Sequence, residues 1–220
     1  MMASNGIEGH NRLSVAEIDA VHGTRCDSVL ETAIFIEPKL RSTVITVGDI
    51  QSCIAFSEMY AGGNTRVVVS RNIEGFERDL NEILQTRFVR LFQLFERLGR
   101  TVLTSDAIEF CFAHELGHAS RYLNFQQDFP GENERFLDEL HVDFWNDLPL
   151  STSSGQARNA WRHNTGGYRT NMQRAGYTEE SFLEALRVNS FMYSQTREEA
   201  LCDDFALWVL ARINMPKSTP

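Results

Sequence analysis

Apolar positions along this chain recur with two different periods, and the change of period divides it. Three short β-branched runs come first: "AIFIE" (33–37), "STVITV" (42–47) and "TRVVVSRNI" (65–73). Pro38 and a basic turn follow the first run, and the breaker "AGGN" introduces the third, so the pattern predicts a small sheet. The intervening "DIQSCIAFSEMYA" fits helix or strand. From 74 to 99 the step changes to three and four: Phe76, Leu80, Ile83, Leu84, Phe88, Leu91, Leu94, Phe95 and Leu98 trace one stripe of a helix, with Gly99 as its stop.

"SDAIEFCFAHELGHASRYL" (105–123) predicts the next helix, with Asp106 and Glu109 spaced as an N-terminal cap. Apolar residues surround almost its whole circumference before His114, which predicts deep burial. "ENERFLDELHVDFWNDL" (132–148) reads as a weaker amphipathic helix, and 149–177 as a long irregular insertion. "TEESFLEALRVNSFMY" and "TREEALCDDFALWVLARI" predict two more helices, the last ended by Pro216. Residues 1–12 are polar and read as loose. The expected architecture is one helix-dominated α+β domain over 1–220, its small sheet preceding the helix that carries His114.

Composition narrows the class. The chain has 220 residues, 42% of them hydrophobic and 10% aromatic, enough for a substantial core. A net charge of −9 argues against a nucleic-acid or anionic-membrane partner, both of which need a basic surface. Cys26, Cys53, Cys111 and Cys202 form no CxxC pair, so neither a disulfide framework nor a structural zinc knuckle is expected. The first thirty residues lack the pattern of a signal peptide, and no apolar run reaches the ~18–20 residues of a membrane span. A reduced, cytoplasmic compartment is the simplest reading.

The chemistry concentrates at "HELGH", residues 114–118. Positions four apart on a helix share a face, so His114 and His118 can present imidazole nitrogens to one ion. Glu115 lies one residue round from His114, beside the ion without ligating it, where it can take a proton from a metal-activated water. The competing reading is a core helix that carries two histidines satisfied by hydrogen bonds; uncharged Ala113, Leu116, Gly117 and Ala119 favour a buried site.

A catalytic zinc takes three protein ligands and keeps a fourth position for water. A metzincin would have glycine at 121 and histidine at 124, where this chain has Arg121 and Asn124. The remaining source is the carboxylates of "TREEALCDDFALWVL". Glu199 and Asp203 are four apart, so Glu199 can ligate while Asp203 accepts a hydrogen bond from the far nitrogen of a ligating histidine. Alternatives stay open: Thr196 and Glu199 match a capping box that would occupy that carboxylate, Glu198 is adjacent, and His141 and His163 are further candidates. Cys111 and Cys202, three residues from His114 and Glu199, read as small buried hydrophobes near the same helix faces. Cys53 in "QSCIAF" does not match the setting of a cysteine-ligated deformylase.

"HELGH" followed by "EALCD" resembles the H-E-x-x-H plus E-x-x-x-D pattern of gluzincin metallopeptidases, and "REEA…DFA" is locally similar to the ImmA/IrrE-like metallopeptidases. The asparagine of the latter group after Glu-Ala is absent, and the interval from His118 to Glu199 is longer than in that group. The resemblance implies a zincin-like fold, one Zn²⁺ per chain held by His114, His118 and Glu199, and hydrolysis of a peptide bond with Glu115 as general base. It also implies an oxyanion donor, for which His163, Tyr168 and Tyr177 are the candidates in the long insertion. The partner expected is a protein or peptide, whose extended backbone could add to the edge of "TRVVVSRNI" unless that run is a central strand. The contrasting expectation is a catalytically silent protein-binding module that keeps the scaffold.

Overall fold

A computed structural model of the protein describes residues 2–50, 53–60, 63–73, 88–132, 136, 161–164, 167–185 and 197–215, with side chains from Ile7 onward in the first helix and from Glu199 onward in the last. It is a mixed α+β structure dominated by helix, with one three-stranded sheet.

Helix α1 (Met2–His22) and α2 (Cys26–Ile36) open the chain. Residues 1–12, read as loose, therefore belong largely to α1. The reason lies further along that helix, where Asn11, Ser14, Val15 and Ile18 form a buried stripe at helical spacing. The Asn11 carboxamide stands in for a neighbouring strand: its Nδ2–H donates to Thr43 O at 2.8 Å, and its Oδ1 accepts from Ile45 N–H at 2.8 Å. "AIFIE" is not a strand. Cys26, Val29, Leu30 and Ala33 are buried at i, i+3, i+4 and i+7, a helical stripe that a five-residue window starting at Ala33 misses. Pro38 then begins a 3₁₀ turn (Pro38–Ser42).

The strands are β1 (Val44–Gly48), β2 (Ala55–Tyr60) and β3 (Asn64–Ser70), ordered β1-β3-β2. The ambiguous "DIQSCIAFSEMYA" thus supplies β2, which pairs antiparallel with β3 from Ala55↔Val69 to Tyr60↔Asn64. β1 pairs parallel with β3, from Val44↔Arg66 to Gly48↔Ser70. β3 is the central strand, with Val67 and Val69 in the core, so "TRVVVSRNI" offers no edge to a peptide. The outer side of β1 meets Asn11; among the described residues β2 is the other edge strand.

Of the 74–99 stripe, Val89–Arg97 form helix α3, which buries Leu91 and Phe95, and residues 74–87 lie outside the described ones. Gly99, at φ +70°, follows the cap residue Leu98; its N–H bonds Glu96 O and Arg100 N–H bonds Phe95 O, closing the helix as expected. Helix α4 (Thr104–Asp128) has 25 residues, about 37 Å of helix at the usual rise, and is the central element. Every residue from Asp106 to Ser120 except Cys111 and Glu115 is buried. Its N-terminus departs from expectation. Asp106 accepts from Leu103 N–H at 2.9 Å, three residues back, whereas Glu109 turns to Arg25. α4 packs against α2, the sheet through β2 and β3, and most extensively the last helix.

Within the segment read as irregular, Tyr168–Arg174 form helix α5, preceded by Gly167 at φ +76°. Trp161 and Phe182 stack at 4.3 Å between centroids, with Tyr168, Met172 and Tyr177 around them, as a small core separate from the main one. The 132–148 helix lies outside the described residues except for Phe136, which is helical and packs on Tyr122. The last helix, α6 (Arg197–Asn214), buries Glu199, Cys202, Asp203, Ala206, Val209 and Leu210, one continuous stripe whose first turn and a half is polar. Among the described residues no helix is long and apolar enough to cross a membrane.

Candidate metal centre

A glycine sets how α4 and α6 meet. A Cβ built on Gly117 would stand 3.1 Å from Cys202 Cα and 3.3 Å from its Cβ, so the two backbones come closer here than a side chain at this position would sit without a shift of α6. That approach lays the first two turns of α6 along the His114–His118 face of α4.

The structure brings His114, His118 and Glu199 together, with one ligand atom from each lying within 4.8 Å of the others. His114 Nε2 stands 3.2 Å from Glu199 Oε2, and His118 Nε2 stands 3.2 Å from Glu199 Oε1. The two rings are nearly perpendicular (79°), with centroids 4.8 Å apart, so their Nε2 atoms converge on one carboxylate without stacking. Tetrahedral zinc with bonds of about 2.0–2.1 Å separates its donor atoms by about 3.3 Å, close to the spacing found here. Two neutral-capable imidazoles and one carboxylate, each able to aim an atom at a common point, therefore form a group that could hold a metal ion.

Behind the donors, α6 also holds the far side of each ring. His114 Nδ1–H donates to Asp203 Oδ1 at 2.8 Å, the geometry that fixes its tautomer and leaves Nε2 toward Glu199. His118 Nδ1 stands 3.3 Å from Cys202 Sγ. His114 leans on Phe110, whose ring packs edge-on against Phe88. His118 is the more open of the pair, with 11% of its side chain exposed against 5% for His114. The open side of the group therefore lies toward His118.

Electrostatics follow from these contacts. Burial disfavours a charged imidazole at His114, but the hydrogen bonds to Asp203 and Glu199 outweigh it and raise its pKa. Burial would likewise raise Glu199, yet the bonds and charges of the two imidazoles hold its carboxyl well below the usual carboxylate range. In the metal-free chain the cluster is thus a buried ion pair, compensated from both sides. A cation placed between the nitrogens and the carboxylate would take over the positive role of the imidazolium proton.

Glu199 faces both histidines, and Thr196, His141 and the Glu198 side chain lie outside the described residues. Glu115 is partly exposed on the helix that carries both histidines. His163 is exposed on a short helical segment, and Tyr168 and Tyr177 pack on the Trp161–Phe182 core, which accounts for the placement of the two tyrosines without reference to the cluster. Two residues have roles that periodicity did not reveal. Cys202 was read as a small hydrophobe, and it is buried, but it also touches a histidine. Gly117 is the contact point of two helices; a glycine inside an apolar helical pattern was the available signal.

The chain matches no family model, no curated protein and no solved structure.

Proposed function

We propose that this chain is a zinc-dependent metallopeptidase of gluzincin type. The observation that carries the reading is the convergence of His114, His118 and Glu199 on one point, with Asp203 behind the first histidine. The H-E-x-x-H spacing sets Glu115 next to these ligands, a position a structural site would have no use for. Zinc bound here would supply Lewis acidity toward a scissile carbonyl and lower the pKa of a water. With that ion in place, Glu115 would be the residue to accept a proton from a water and pass it to the leaving amine. Asp203 keeps the His114 ring oriented while charge develops.

The reading of a peptide substrate draws support from the sheet. Among the described residues β2 is paired on one side only, and it packs against α4, with Tyr122 Oη–H donating to Tyr60 O at 2.6 Å. An extended backbone added to that edge would run beside the helix that bears the histidines.

The test combines metal analysis with peptide hydrolysis. The purified protein is expected to hold about one zinc per chain, and Glu115→Gln to keep the metal while losing roughly 10²–10⁴-fold in hydrolysis of a mixed peptide library. Metal without any hydrolysis, unchanged by Glu115→Gln, would instead establish a silent binding module. A native protein that takes up no zinc from added salt would end the metallopeptidase reading.

A further inference from the structure

Both ring nitrogens of both histidines face side chains of one helix. α6 meets the two Nε2 atoms with Glu199, meets His114 Nδ1 with Asp203, and meets His118 Nδ1 with Cys202. The carboxylate behind His114 is a familiar device for orienting a ligand; the thiol behind His118 is not. We propose that Cys202 is a positioning residue for the metal centre: its sulfur accepts a hydrogen bond from His118 Nδ1–H and thereby fixes the tautomer that leaves the Nε2 lone pair toward the metal. This inference rests on the metal-binding reading above.

Three observations carry it. The Sγ···Nδ1 separation of 3.3 Å is within hydrogen-bond reach for sulfur, and both groups are buried, so little water competes for the ring. A neutral histidine that gives its Nε2 lone pair to a cation must carry its proton on Nδ1, and the nitrogen then requires an acceptor. Gly117 also lets Cys202 Cα and Cβ approach α4 closely, which carries the side chain to the face that bears His118. A cysteine used only to fill volume would not need to face the nitrogen.

The experiment measures zinc affinity by competition with a chromogenic chelator, together with the absorption spectrum of the cobalt-substituted protein, for the native chain, Cys202→Ala and Cys202→Ser. Alanine and serine are nearly equal in volume, so both relieve packing equally and only serine keeps an acceptor. Cys202→Ala is expected to bind zinc about 10–100-fold more weakly, and Cys202→Ser to stay within about threefold of native. If Cys202→Ala does not fold, Cys202→Val against Cys202→Thr makes the same comparison at larger volume. Equal affinity in native and alanine proteins would overturn the proposal, as would equal losses in alanine and serine, which would reduce the residue to packing. An intense thiolate-to-cobalt charge-transfer band in the native protein would also overturn it, because Cys202 would then be a ligand. A native protein without metal affinity removes the metal reading itself, a result separate from any difference among the variants.

Discussion

At the scale of single residues, burial decides which cysteines have chemistry. Cys26 lies at the start of α2 without solvent contact, and burial pushes its thiol well above the usual cysteine range. In the unfolded chain a cysteine ionises near about 8.5. Below that pH the thiol is neutral in both states, and its burial contributes fully to stability. As pH rises above that value, the unfolded chain gains an ionisation that the folded chain resists, so the contribution declines. The stability difference between native and Cys26→Ala is therefore expected to shrink between about pH 8 and about pH 11, as read by urea melts at each pH. At about pH 8, alkylation of the folded protein should mark exposed Cys53 and spare Cys26 until denaturant is added.

At the scale of elements, the contact between α4 and α6 is where propensity and packing oppose each other. Alanine at an exposed helical glycine adds roughly 0.5–1 kcal/mol of stability. At Gly117 the new Cβ would press on Cys202 Cα at 3.1 Å, a backbone atom that cannot rotate aside. Overpacking of that kind costs roughly 1–3 kcal/mol, so the packing effect wins. Gly117→Ala is expected to lower Tm and, by moving α6 outward, to weaken metal binding; a raised Tm would show that the helices yield without cost. The same contact explains why α6 could be read from sequence while its distance from α4 could not. Glu199 and Asp203 declare their shared face by a four-residue interval, but the approach of two backbones depends on a residue with no side chain at all.

At the scale of the whole molecule, Arg25 joins parts of the chain that are far apart in sequence. Its backbone N–H and guanidinium both reach Glu109, with Nη2–Oε2 at 2.7 Å and Nε–Oε1 at 3.1 Å, while Nη1–H donates to Asn214 Oδ1 at 3.2 Å. The α1–α2 turn, the central helix and the end of α6 are thereby tied one turn and more from the group of His114, His118 and Glu199. Glu109 is buried, with 2% of its surface exposed, whereas the Arg25 side chain is 40% exposed, so water can replace part of what is lost. Arg25→Ala is expected to cost about 1.5–3 kcal/mol, the range for hydrogen bonds to a charged group. In a double-mutant cycle the combination with Glu109→Gln should cost less than the two single losses together. Additive losses would mean that the pair does not act as a unit.

Periodicity alone determined the helices that bury a continuous stripe, α4 and α6, and the four-residue spacings that put His114 with His118 and Glu199 with Asp203 on shared faces. Those features are local, because a helix rotates each residue by a constant angle and the residue types declare which side is buried. Tertiary structure decided the rest. It made α2 a helix where a five-residue run with four apolar positions suggested a strand, since Cys26 and Val29 complete the stripe only when α2 lies on the core. It ordered the polar start of the chain as α1, because Asn11 finds partners only on the backbone beside β1. It set β3 in the centre of the sheet, and it turned Cys202 from a small hydrophobe into the neighbour of a histidine. Each of these outcomes depends on which surfaces meet, and a one-dimensional pattern records only which surfaces need to be covered.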